Sequence, residues 1–168
     1  MKYATKENAA PSISTIQSSA SEQTNTIEDM KRTLADEYSL QVKTQNFHWN
    51  VEGPLFFSLH KLFEEQYNKI AEFVDESAEL LRSLNSPAPG SFSDFKKLTS
   101  INECSETKIS TSKMIDMLAA DHTSLAQLYK ARLEQAEAEE EISAVTLYED
   151  LIKFHEKSAW MIRSHRSA

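Results

Sequence analysis

Glycine and proline are scarce, with two and four residues in the whole chain. That is too few to punctuate the many turns of a sheet protein, so the chain reads as helical. There is one cysteine, Cys104, which excludes a disulfide framework and a cysteine-type zinc site and points to a reducing compartment. No stretch is apolar enough to span a bilayer, and the N-terminus lacks the apolar core of a signal peptide. The expected location is therefore the cytoplasm, with no membrane partner. Glycine-rich phosphate loops, a nucleophile elbow and any repeat of short period are also missing. Basic charge is the scarcer sign: 18 Lys and Arg stand against 26 Asp and Glu, a net charge of −8. The balance favours cations as partners and disfavours casual binding of nucleic acid.

A length of 168 residues with 40% hydrophobic content is enough for one domain with a real core. Residues 1–25 are rich in Ser, Thr, Asn, Gln and Ala and show no sustained period, which predicts a mobile tail ahead of a folded domain over 26–168. Helical spacing then recurs four times at length. A first helix is expected from Thr26, with Glu28 and Asp29 in its first turn, along the stripe Ile27, Met30, Leu34, Tyr38, Val42 and Trp49, ending at Gly53-Pro54. A second runs from Leu55 to Leu84, a third from about Glu106 to Glu134, and a fourth follows the acidic run Glu137 to Glu141 with Val145, Tyr148, Ile152, His155, Ala159 and Ile162 inward. Breakers at Asn85 to Gly90 open a long crossover in which Phe92 to Leu98 predicts a short extra helix. His122, His155 and Trp160 read as core or packing residues. The fold class is all-α, a ferritin-type four-helix bundle with a short extra helix in the crossover between the second and third long helices.

The second helix carries the chemistry. On a wheel of about 100° per residue, His60, Glu64, Asp75 and Glu79 share one arc beside the apolar stripe, with Tyr67, Ala71 and Ala78 among them. His60 and Glu64 are one turn apart, as are Asp75 and Glu79, and either pair suits a cation. The two pairs lie about 22 Å apart along the axis at 1.5 Å per residue, so one helix does not close both on one ion. A second copy crossing antiparallel about a two-fold axis does, giving equivalent sites at the interface. On spacing alone, exposed charges with ordinary i,i+4 neighbours explain the same residues.

Specific motifs narrow the choice. H-W-N-V-E-G at His48 to Gly53, then His60 twelve residues after His48, Glu64, D-E-S-A-E at Asp75 to Glu79, A-P-G-S-F at Ala88 to Phe92 and H-E-K-S-A-W-M-I-R at His155 to Arg163 resemble the Dps family, the mini-ferritins. The resemblance covers about residues 26 to 166. It implies a hollow homo-oligomeric shell, a dodecamer, that oxidises Fe(II) with hydrogen peroxide in preference and stores Fe(III) as mineral. It also implies that His48, His60 and Glu64 of one chain bind iron together with Asp75 and Glu79 of the two-fold mate. In many members the position of Glu64 is Asp; the longer Glu leaves a carboxylate available, by direct or water-mediated contact. No Glu stands three residues before any His, which argues against the in-bundle Glu-x-x-His site of ordinary ferritins. Imidazole and carboxylate donors suit iron.

Two other readings share this pattern: a nucleoid-compacting DNA-binding protein with an incidental metal site, and an iron-binding module without turnover. Direct DNA binding has little basis in the residues, because Lys2 and Lys6 in the tail are offset by Glu7 and Glu22. By resemblance, Glu139, Glu140, Glu141 and Asp150 are candidates for an acidic iron-entry pore.

Overall fold

The structure is a computed structural model that describes residues 23–106 and 108–166. Four long helices and one short one follow in the order α1 (Gln23–Asn50), α2 (Phe56–Ser83), α3 (Phe92–Leu98), α4 (Thr111–Ala138) and α5 (Ile142–Arg163). α1 packs along α2 and α4 along α5, and the two pairs close on a shared core. Among the described residues there is no strand, and no helix is long and apolar enough to cross a membrane. Residues 1–22 of the expected tail lie outside the described residues, whereas 23–25 already belong to α1.

Connections are set by residues that tolerate unusual backbone. Gly53 sits at φ +89° and turns the chain between α1 and α2, a conformation that costs little only without a Cβ. Asn85 at φ 60° ends α2, and the Ser86 N–H reaches back to the Leu81 carbonyl at 2.9 Å, the pattern of a left-handed helix cap. Glu140 at φ 59° plays the same part after α4, with the Glu141 N–H on the Ala136 carbonyl at 3.0 Å. The acidic run is therefore split. Glu137 lies inside α4, Glu139 caps its end, and Glu141 precedes α5, whose first turn has no acid.

Three further expectations change. Thr26 does not cap α1; it lies inside the helix, and its N–H and hydroxyl both donate to the Glu139 carboxylate, tying the start of α1 to the end of α4. α4 starts at Thr111 rather than near Glu106, because the Ser110 hydroxyl accepts the Lys113 N–H and caps it there. Val42, Trp49 and Trp160 stand 48%, 66% and 62% exposed, so none belongs to the core stripe of a single chain. Met30 and Leu34 of the expected stripe, joined by Leu40 and Phe47, fill the inner face of α1. α3 falls where the sequence places it and lies over α1, with the Phe95 ring stacked on Tyr38 at 4.5 Å.

Candidate metal centre on the second helix

The α1–α2 turn brings His48, near the end of α1, against His60, in the first turns of α2. Each imidazole Nδ1–H donates to the other residue's backbone carbonyl: His48 to the His60 oxygen at 2.8 Å, and His60 to the His48 oxygen at 2.9 Å. The rings stack with centroids 3.8 Å apart. Because a carbonyl oxygen only accepts, both rings must carry their proton on Nδ1, which leaves both Nε2 lone pairs available as ligands. Fixing a ligand histidine through its other nitrogen is the usual way proteins orient an imidazole toward a metal. Phe56 stacks on His60 at 4.9 Å and Tyr67 meets His48 edge-on at 5.2 Å, so the pair sits in an aromatic frame.

Glu64, one turn beyond His60, is half-buried and hydrogen-bonded to Lys61 at 2.7 Å. That ammonium, and to a smaller degree the neighbouring imidazoles of His48 and His60, holds the Glu64 carboxyl below the usual carboxylate range. A cation arriving there meets an ionised group that Lys61 must release. Asp75 and Glu79 lie exposed further along α2. The structure thus brings His48 and His60 together, with Glu64 one turn further along α2 and paired to Lys61, and leaves Asp75 and Glu79 apart from them. Among the described residues of one chain, no three His, Cys, Asp or Glu side chains gather as a metal site.

The interior of the bundle holds a polar cluster that sequence reasoning saw only in part. Glu37 of α1 accepts from the Tyr129 hydroxyl at 2.6 Å and from His155 Nε2 at 2.8 Å, while His155 Nδ1 faces His122 Nδ1 at 2.8 Å. All four side chains are fully buried. His155 spends one ring edge on Glu37 and the other on His122, so these donors do not converge on one point as an in-bundle metal site requires. Burial, and secondarily His155, holds the His122 imidazole well below its ordinary value, whereas burial with the adjacent Glu37 pushes the Tyr129 phenol well up. Both histidines were expected in the core. Glu37 was missed, although an acid seven residues after Met30 and three after Leu34 sits at a core position of the α1 stripe, which is the available signal.

Of the acids considered for an iron-entry pore, Glu139 is held by Thr26 and by the Gln135 amide at 2.5 Å. Its carboxylate belongs to the α1–α4 junction. Glu140 and Asp150 are exposed, the latter 3.5 Å from Lys153.

A ferritin-like domain model matches residues 27–167, which defines the class of the chain as a ferritin-like bundle. A DNA protection during starvation protein of Helicobacter pylori is 33% identical over 140 residues, spanning 83% of this chain and 97% of that relative. A low temperature-induced protein of Nostoc is 35% identical over 136 residues, 80% of this chain and 76% of its own length. The solved structure of Dps from Staphylococcus aureus matches with a TM-score of 0.83 at 27% identity, over 87% of this chain and 97% of that one. That of Dps from Thermosynechococcus elongatus shares the fold with a TM-score of 0.86 at 24% identity, over 90% and 96%. The chain belongs to the Dps family of ferritin-like proteins.

Proposed function

We propose that the protein is an iron-storing ferroxidase of the mini-ferritin kind, with its sites at two-fold dimer interfaces of a dodecameric shell in the cytoplasm. His48, His60 and Glu64 of one chain and Asp75 and Glu79 of the two-fold mate bind Fe(II) as substrate. Hydrogen peroxide is the preferred oxidant: two Fe(II) each give up one electron, and peroxide takes both with two protons and leaves as two waters. The Fe(III) is stored as mineral inside the shell. The observation that carries this reading is the reciprocal His48–His60 clasp, which presents two Nε2 lone pairs beside an ionised Glu64. Fixing each ring through Nδ1 leaves Nε2 oriented for a metal, as ligand duty requires.

The residues divide the work. The backbone carbonyl of each of His48 and His60 holds the other's ring, and Phe56 and Tyr67 pack against the pair. Glu64 exchanges Lys61 for the cation. Exposed Asp75 and Glu79 of the mate, one turn apart, add two carboxylates to the Glu64 of the first chain. The domain over 26–168 suffices for this chemistry. Protection of DNA, the role named for the Helicobacter relative, then follows from removing Fe(II) and peroxide together rather than from coating the duplex.

Anaerobic Fe(II) titration followed by a peroxide pulse and size-exclusion chromatography tests the reading. Trp49, exposed beside His48, is expected to lose fluorescence as Fe(II) binds, and iron is expected to elute with the shell after the pulse. Binding without oxidation indicates a module without turnover, and absence of both contradicts the site.

A further inference from the structure

Away from α2, a cavity of about 640 Å³ opens between the first half of α1, the segment after α3 and the last half of α4. Its floor is Arg132, 6% exposed. The guanidinium is clamped from below: Nη1 donates to the Thr33 hydroxyl at 2.7 Å and to Asp36 Oδ2 at 3.2 Å. Asp36 is itself fixed, because its Oδ1 accepts from the Thr99 hydroxyl and from the N–H and hydroxyl of Ser100. A guanidinium has five N–H donors, and Nη1 accounts for two of them here. The Nε–Nη2 edge, the edge that pairs side-on with two oxygens of one oxyanion, has no hydrogen-bond acceptor among the described residues. The nearest carboxylate, Asp29 Oδ1, stands 3.9 Å from Nε, beyond hydrogen-bond reach. Those donors are also not among the buried side-chain atoms sealed from solvent without a partner, so the edge opens outward.

Arg32 and Lys97 line the same cavity. Both are exposed, and neither makes an ion pair with a described residue. In a chain where acids outnumber bases 26 to 18, two unpaired cations over a half-used guanidinium are a departure from the general balance. Arg32 and Arg132 both act on the charge of Asp29, which places them around one point. Against the three cations stand Asp29 in the wall, Asp36 beneath the floor, which already receives four donors, and Glu28 and Glu139 near Asp29. Glu28 is paired with Lys31, and Glu139 accepts from Thr26 and Gln135, so the donors left open at the cavity are those of Arg32, Lys97 and the Arg132 edge.

We propose that this cavity is a binding site for an oxyanion of the phosphate class, free or as the terminal group of a small phosphorylated molecule. The Arg132 edge takes two oxygens, and Arg32 and Lys97 neutralise the second charge, which favours a dianion over a carboxylate. The volume exceeds what inorganic phosphate fills and leaves room for an attached organic group. Arg132 is too recessed for a phosphate of duplex DNA, whose neighbours on the strand block its descent. The site is separate from the proposed iron centre and does not depend on it.

Isothermal titration calorimetry of inorganic phosphate into the iron-free full-length protein, at constant ionic strength near neutral pH, tests the assignment. A Kd at or below about 1 mM is expected, weakened at least about tenfold by Arg32→Ala with Lys97→Ala, both exposed. The matched surface variant Lys130→Ala is expected to leave it unchanged. A short DNA duplex is expected not to displace the phosphate. Absence of binding at millimolar phosphate, an unchanged Kd in the double variant, an equal loss in Lys130→Ala, or displacement by the duplex overturns the assignment.

Discussion

Acidification to pH 5 is expected to weaken the fold through His122, well before most carboxylates titrate. The ring is fully buried in α4 against His155 of α5, with Phe154 5.8 Å away and Phe73 of α2 packed on Phe154. Glu37 of α1 and Tyr129 of α4 lie on the far side of His155. His122 Nε2 has no partner, so a proton there would sit as an unpaired buried charge. Burial holds the imidazole well below 6.5 in the fold, while the unfolded chain protonates near that value. Below pH 6.5 the unfolded state therefore binds more protons, and stability falls by up to about 1.4 kcal/mol per pH unit. Between pH 6.5 and 5 the loss is about 2 kcal/mol, or on the order of 4–8 °C in melting temperature for a domain of this size. Asp29, Asp36 and Asp121 act with the opposite sign: burial raises their pKa, so they favour the fold as pH drops through the carboxylate range. His122→Gln keeps a hydrogen-bonding group toward His155 and cannot take the charge. Melting followed by circular dichroism at fixed protein concentration, from pH 7 to 5, is expected to show a steeper decline in wild type than in this variant. Equal slopes would refute the reasoning.

Gly53→Ala meets open space, since nothing lies within 4 Å of an added Cβ, but at φ +89° it is expected to cost about 1–2 kcal/mol from backbone strain alone; urea unfolding checks this. Charge removal by Glu140→Gln with Asp150→Asn is expected to slow iron uptake at low salt with the shell intact, whereas Glu139→Gln is expected to lower the melting temperature because Glu139 holds Thr26. No stable complex with duplex DNA is expected in a gel-shift assay at about physiological salt, given the net charge of −8; a clear shift lost on deleting residues 1–25 would make DNA binding a second function.

The bundle was legible because its long helices carry almost no glycine or proline and keep a 3.6-residue stripe, a signal that tertiary packing reinforces. The short α3 was legible for a different reason, a breaker cluster before Ser91 and apolar residues one turn apart. Ends were harder to read. The polar stretch before Thr111 offers several caps, and only the fold selects Ser110; likewise nothing local tells Glu140 to adopt a left-handed turn that a glycine usually takes. Val42, Trp49 and Trp160 fit a helical stripe by spacing, but a single stripe does not distinguish a face buried within the chain from one left open on it. At the candidate site, the spacing of His48 and His60 was visible, but the exchange of hydrogen bonds through the backbone depends on how Gly53 turns the chain. Glu37 escaped because an acid at a stripe position reads as an interruption until its partners on α4 and α5 are known.

The inter-subunit site is tested most directly by complementation. His60→Ala protein and Asp75→Ala protein, each inactive in peroxide-dependent Fe(II) oxidation, are mixed, dissociated and reassembled. Random pairing makes about half the dimers hybrid, and each hybrid holds one intact site and one doubly damaged site, so about a quarter of the wild-type activity is expected. Hybrids as inactive as their parents would contradict a site shared between two chains.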